Sequence, residues 1–267
     1  MSLRSVSTTN WAASTSVVIT KPAGLTAGDI MVAVIASSNS TALAAPGGWS
    51  TLENPITAPS GAARLATFYK TADSGDVAAS NFTFTGGSAL AGFMAAISSP
   101  SFSAPTKSTD PSSGFTPSAN SVFIMAICHD SEAAGSAATA SSYAITTSNP
   151  SWTEQIDNGI SSRYSLAVAT AERPEATATG AWSYSLSQGG QTADILIAVA
   201  PATSVTVSPD AVTSTGTIPS PTVTGGANVT VSPVTALGTV NAPEAGQADW
   251  SSQGKSSSPT WTPQTKS

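Results

Sequence analysis

Five blocks of residues recur in the same order along the chain, and any fold must accommodate that repetition. Asp29-Ile30-Met31-Val32-Ala33-Val34-Ile35 is matched by Ser121-Val122-Phe123-Ile124-Met125-Ala126-Ile127, and Pro46-Gly47-Gly48-Trp49 by Pro150-Ser151-Trp152. Arg64-Leu65-Ala66-Thr67-Phe68-Tyr69 is matched by Arg163-Tyr164-Ser165-Leu166-Ala167-Val168. Phe82-Thr83-Phe84 is matched by Trp182-Ser183-Tyr184, and residues 91–97 by residues 193–199. The offsets drift over roughly 92 to 103 residues. The drift falls where turns belong, and turns tolerate insertions. The bland alternative is chance similarity between β patterns.

Each block has the grain of a strand. Residues 30–35 are continuously apolar, as for a strand covered on both faces. Leu65, Thr67 and Tyr69 share one face by alternation, as do Tyr164, Leu166 and Val168. Phe82 and Phe84 form an aromatic face, and so do Trp182 and Tyr184. Val17-Val18-Ile19 reads as an earlier strand before Pro22. The expected fold class is all-β: two related antiparallel β-sandwich units, jelly-roll-like, from an internal duplication, followed by an extended β-rich C-terminal arm.

Composition supports that class and removes several functions. Of 267 residues only 9% are charged, and the net charge is −6. The chain lacks the Glu, Lys, Arg and Leu content that long helices use. Its 21 glycines and 18 prolines suit many short strands joined by turns. The nine cations are scattered without a basic patch, so no nucleic-acid partner and no anionic membrane surface is expected. The longest apolar run is too short to span a bilayer as a helix, so no membrane insertion is expected. The single cysteine excludes an intrachain disulfide. No apolar signal core follows Met1-Ser2-Leu3-Arg4-Ser5, and folding in a cytoplasm is the expectation.

The sequence divides into a first unit at 1–99, a second at 100–201, a Thr/Val/Pro arm at 202–246 and a tail at 247–267. In the arm, Val205-Thr206-Val207-Ser208-Pro209 returns as Val229-Thr230-Val231-Ser232-Pro233, a period of about 24 residues. The arm has few large side chains and could not offset its own ordering entropy. It reads as a segment that gains order on a partner chain, the alternative being a Pro/Thr linker. Trp250 and Trp261 stand in the polar tail with Lys266 near its end. The two indoles read as anchors on a neighbouring subunit, with Lys266 at the polar rim. Docking of the tail onto this chain's own sandwich is the alternative.

Cys128-His129-Asp130 resembles a nucleophilic constellation, but on a strand His129 faces away from the other two. It reads as a strand end with a buried Cys and an exposed His. One Cys and one His do not make a zinc site. Gly86-Gly87-Ser88 and Gly254-Lys255-Ser256 only partly match a nucleophile elbow and a P-loop. Asp29, Glu53, Asp157 and Asp194 could pair only through the fold. Asp73 and Asp76 read as turn residues, with no alternating calcium loop. No catalytic residue, cofactor or metal site is therefore expected. Trp49 and Trp152 follow Pro-containing turns. They read either as core residues at equivalent ends of the two units or as a glycan platform.

Two stretches carry a resemblance. Lys21-Pro22-Ala23-Gly24-Leu25-Thr26-Ala27-Gly28-Asp29-Ile30-Met31-Val32-Ala33, with Pro46-Gly47-Gly48-Trp49 and Phe68-Tyr69-Lys70, resembles a β-sandwich module of tailed-bacteriophage structural proteins. Pro259-Thr260-Trp261-Thr262-Pro263-Gln264-Thr265-Lys266-Ser267 is similar to the endings of small phage structural proteins. The second unit departs from the first pattern, with Thr116 and Asn120 where Gly24 and Gly28 stand. The resemblance implies a non-enzymatic virion protein assembled in the host cytoplasm: a capsid decoration or other accessory subunit, or else a tail-fibre or receptor-binding module for host glycans. The expected partners are other virion proteins and copies of itself, with a trimer as the leading expectation.

Overall fold

A computed structural model describes residues 1–39, 41–98, 104–131, 138–160 and 163–202. The chain divides into Met1–Ser204 and Val205–Ser267. The described fold lies in the first part, and the arm and tail lie outside the described residues.

The first half carries β1 (Ser2–Ala12), β2 (Ser16–Thr20), β3 (Ile30–Ser37), β4 (Ser50–Thr57), β5 (Arg64–Thr71), the short helix α1 (Ser74–Ala78), β6 (Asn81–Thr85) and β7 (Leu90–Ser98). The second carries β8 (Thr106–Ser108), β9 (Ser121–Asp130), β10 (Ala140–Ile145), β11 (Thr153–Ile160), β12 (Tyr164–Arg173), β13 (Trp182–Leu186) and β14 (Gln191–Val199). All the ladders between these strands are antiparallel. The fold is all-β, as the alternation and turn content predict.

Each half builds a five-stranded sheet, ordered β1-β7-β3-β5-β4 in the first and β8-β14-β9-β12-β11 in the second. Each half adds a two-stranded sheet, β2-β6 and β10-β13. Three apolar layers separate these sheets. Met31, Ala33 and Ile35 of β3 face Ile19, Phe82 and Phe84 of the first small sheet. Phe123, Met125 and Ile127 of β9 face Tyr143, Ile145 and Trp182 of the second. The alternate residues Ile30, Val32 and Val34 meet Val122, Ile124 and Ala126 in a core between the two large sheets. This explains the unbroken apolar runs, since both faces of β3 and β9 are buried. Full burial of each Ile, Leu or Phe contributes about 1.5–3 kcal/mol, so the central layer binds the halves strongly.

The ladders keep equivalent register. Ile30 pairs with Ile97 in the first half, and Val122 pairs with Val199 in the second. The β5 block needs a correction. Ala36 pairs with Leu65 while Cys128 pairs with Leu166, so Leu65 corresponds to Leu166 rather than to Tyr164. The shift is two residues, which preserves the face and so leaves the pattern of alternation unchanged.

Candidate functional site

Trp49 immediately precedes β4, and Trp152 immediately precedes β11. The register places them at equivalent points, because Ser50 pairs with Tyr69 and Thr153 with Thr170. Trp49 lies edge-on to Phe82 and Phe84, at centroid distances of 5.7 and 5.4 Å. Trp152 stacks at a tilt on Phe123 and Tyr143, at 6.3 and 6.4 Å, and its Nε1 donates to Asn149 Oδ1 at 3.0 Å. Each indole thus closes the end of an outer core while staying half-buried. Trp250, Trp261, Lys266 and the Gly254-Lys255-Ser256 segment lie outside the described residues.

Cys128, His129 and Asp130 end strand β9. Cys128 is buried in the central core, where desolvation pushes its thiol up to about 12. It is a packed apolar group at neutral pH, not a thiolate. His129 points to the opposite face. It is buried rather than exposed, because the turn containing Gly189 and Gly190 closes over it. Burial lowers its pKa and keeps the imidazole neutral.

Asp130, fully buried, anchors a junction between the two halves. Arg163 reaches it from the β11–β12 turn through Nε to Oδ1 at 2.6 Å and Nη2 to Oδ2 at 3.0 Å. Ser60, in the turn between β4 and β5, donates its hydroxyl to Oδ2 at 3.0 Å. This bidentate, charge-assisted arrangement satisfies a carboxylate that would otherwise be very costly to bury. Nothing in the sequence brings Ser60, Asp130 and Arg163 together; only the face-to-face packing of the halves does so.

The four carboxylates considered as pairs have separate partners. Asp29 accepts from Arg4 Nε at 2.7 Å and Nη2 at 3.0 Å, and from the Thr26 backbone N–H at 2.9 Å. Burial pushes its pKa up, but these contacts outweigh it and the net shift is downward. Glu53 on β4 pairs with Lys107 on β8. Asp194 accepts from the Tyr184 hydroxyl at 2.6 Å. Asp157 accepts from the Ala140 N–H at 2.9 Å, and burial followed by the nearby Glu154 charge pushes its carboxyl up to about 6.

Asp73 and Asp76 are not simple turn residues. Asp73 caps α1, the two form a reciprocal capping box, and Lys70 pairs with both. Gly86 and Gly87 form the turn between β6 and β7 that their sequence suggests. A shallow depression of about 340 Å³ is lined by Met1, Arg4, Thr26, Gly28, Asp29 and Ser98, but its carboxylate is already held by Arg4. Among the described residues no group of three or more His, Cys, Asp or Glu side chains is placed to hold a metal ion. No helix among them is long and apolar enough to cross a membrane. Arg4–Asp29, Lys70–Asp76, Glu53–Lys107 and Arg163–Asp130 are ion pairs that tie one segment of the fold to another.

No protein-family model, no curated protein and no solved structure matches this chain.

Proposed function

We propose that this chain is a non-enzymatic structural protein of a tailed-bacteriophage virion, a capsid decoration or other accessory subunit whose duplicated sandwich is held on the particle by its C-terminal arm. The observation that carries the reading is the division of the chain at Ser204. A filled stack of β layers precedes it, and a segment with two Val-Thr-Val-Ser-Pro copies and two tryptophans follows. Such a chain can present a rigid body and attach it through a separate device. Burial of one tryptophan side chain contributes about 3 kcal/mol. Repetition over many identical subunits multiplies weak attachment by avidity. The phage-like patterns at residues 21–33 and 259–267 supply the virion context. Immunogold labelling of intact virions tests the reading: head or tail decoration is the expected result, and unlabelled particles refute it.

A receptor-binding or tail-fibre role is the second reading. It rests on Trp49 and Trp152, which stay half-buried at equivalent ends of the fold. Binding of the purified protein to host cells, lost in Trp49→Ala and Trp152→Ala variants that remain folded, supports it; no binding refutes it.

A further inference from the structure

The duplication places a hydroxyl in one half where the other has an imidazole. Ser37 ends β3 opposite Leu90 and Arg64, and His129 holds the equivalent place on β9, opposite Thr192 and Ser165. Each lies under the glycine-bearing turn that leads into the last large strand of its half. A Cβ on Gly87 would lie inside contact distance of Ser37 Oγ, and one on Gly190 inside that of His129 Nε2. Ser37 is small and donates its hydroxyl to Asn39 Oδ1 at 3.2 Å. His129 is 1% exposed, and neither ring nitrogen makes a well-formed hydrogen bond among the described residues.

The cover over the imidazole is thin. Ser187, Gln188, Gly189 and Gly190 are all exposed. The turn is tied down at its start, where the Ser187 N–H donates to the Thr139 carbonyl at 3.0 Å and the Thr139 N–H to the Ser187 hydroxyl at 2.9 Å. The surroundings offer an imidazolium no free counter-charge among the described residues. Asp194 of β14 shares its face but accepts from the Tyr184 hydroxyl of β13 at 2.6 Å. Asp157 of β11 lies on the same face two strands away, with Glu154 and Tyr143 further along. Ser165 of β12 and the side chains of the turn do not titrate. Asp130 on the same strand points the other way and is held by Arg163. Burial raises both Asp157 and Asp194, so these carboxyls take up protons over the acid range in which an imidazole charges. Protonation of His129 therefore adds a charge and a second N–H donor to a closed site where the Gly189 carbonyl is the nearby acceptor.

We propose that His129 is an acid-operated latch: on protonation the imidazolium moves to water, the turn at 187–190 swings away, and this end of the second outer core opens while the five-stranded sheets stay paired. The turn is the part that yields because it is exposed, rich in glycine and joined to its neighbour by the Ser187–Thr139 contacts. The first half has no such device, since Ser37 carries no proton to gain in this range. The proposal concerns the fold alone and stands apart from the virion reading.

The test exploits the fact that His129 is the only histidine, so its imidazole C–H signals in the NMR spectrum of the full-length protein need no assignment. The protein is titrated from about pH 7.5 to about pH 4.5 while amide exchange is followed, corrected for its intrinsic pH dependence. His129 should titrate with a midpoint below 6.5. Over the same interval the Ser187 and Thr139 amides should exchange faster by about tenfold or more, with the amides of the β9–β12 ladder unchanged. The His129→Ser variant, which installs the residue of the first half, should keep those two amides protected throughout. Equal acid opening in that variant overturns the proposal and moves the trigger to Asp157 or Asp194. The wild-type titration decides the matter even where the variant does not fold. A midpoint at the ordinary histidine value with no change at Ser187 and Thr139 overturns the latch, because the imidazole then meets water in the closed state. Titration only together with loss of protection in the β9–β12 ladder overturns it as well, because opening is then global.

Discussion

Replacing Asp157 by asparagine should stabilise the protein at neutral pH and leave it unchanged in acid. Asp157 lies on β11 beneath β10, where its Oδ2 accepts the Ala140 N–H. Its Oδ1 has no hydrogen-bond partner among the described residues. Burial is the main cause of its raised pKa, and Glu154 adds to it against the opposing pull of Ala140. The carboxyl moves from 3.8 to about 6. The folded state therefore holds this proton at a higher pH than the unfolded chain does. The penalty is absent below about pH 4, grows across the interval to about pH 6 and is complete above it. Two pH units at about 1.4 kcal/mol each set a ceiling of about 3 kcal/mol. The side chain is partly solvated, and screening reduces the expectation to about 1–2 kcal/mol. The replacement amide keeps a carbonyl acceptor for the Ala140 N–H and discards the charge. Urea unfolding of wild type and Asp157→Asn at about pH 4 and about pH 7.5 measures the difference. The buried His129 contributes with the opposite sign. Its lowered pKa costs stability as pH falls below 6.5, but it does so in both proteins and cancels. The same stability difference at both pH values would show that the carboxylate is not the source.

Three further outcomes follow from the packing. Arg163→Ala should cost about 2–4 kcal/mol, below the full penalty of breaking a buried pair because the arginine side chain is 42% exposed. Adding Asp130→Asn should recover part of that loss; strictly additive losses in the double-mutant cycle would remove the clasp between the halves. Gly86→Ala should destabilise by about 2 kcal/mol or more, because φ is 102° and a Cβ there would lie inside contact distance of the Ala42 carbonyl. An unchanged denaturation midpoint for that variant would contradict the close approach. Deleting residues after Pro201 should leave a cooperatively melting sandwich that fails to enter virions; normal incorporation would move attachment to the sandwich surface.

The apolar blocks made the central strands legible because both faces of β3, β9 and β14 bury side chains, so their sequences carry little else. Residues 2–12 carried no comparable signal. This edge strand alternates between partial burial and exposure and is rich in Ser and Thr, yet it spans the whole sheet. The face-to-face packing was also hidden. Periodicity shows that both sides of β3 are covered, but not that one cover is the other half of the chain. The burial of His129 was missed for a similar reason, since the turn that closes over it is contributed by Gly189 and Gly190, distant in sequence. Trp49 and Trp152 were legible as a pair because the turns before them repeat. Their contacts required the fold.

The equivalence of the halves can be tested inside the protein by exchanging one solution for the other. Lys107 pairs with Ile197, and Val6 pairs with Ala95, which the register makes equivalent positions. Glu53 pairs with Thr67 and Ile156 with Val168, which are likewise equivalent. The Lys107–Glu53 ion pair thus stands where the opposite edge has Val6 and Ile156, both in the central core layer. The Lys107 and Glu53 side chains are 32% and 30% exposed, so their pairing contributes no more than about 1 kcal/mol. Burying Val and Ile there contributes about 1.5–3 kcal/mol for each side chain that closes fully. Each single change, Lys107→Val or Glu53→Ile, strands one charge against the core and should destabilise. The double change rebuilds the apolar pairing of the opposite edge and should match or exceed wild-type stability, a favourable coupling of about 1 kcal/mol or more in the cycle. Thermal unfolding of the four proteins reads that coupling directly. A double variant no better than the sum of its parts would mean that the two edges share strand order without sharing packing.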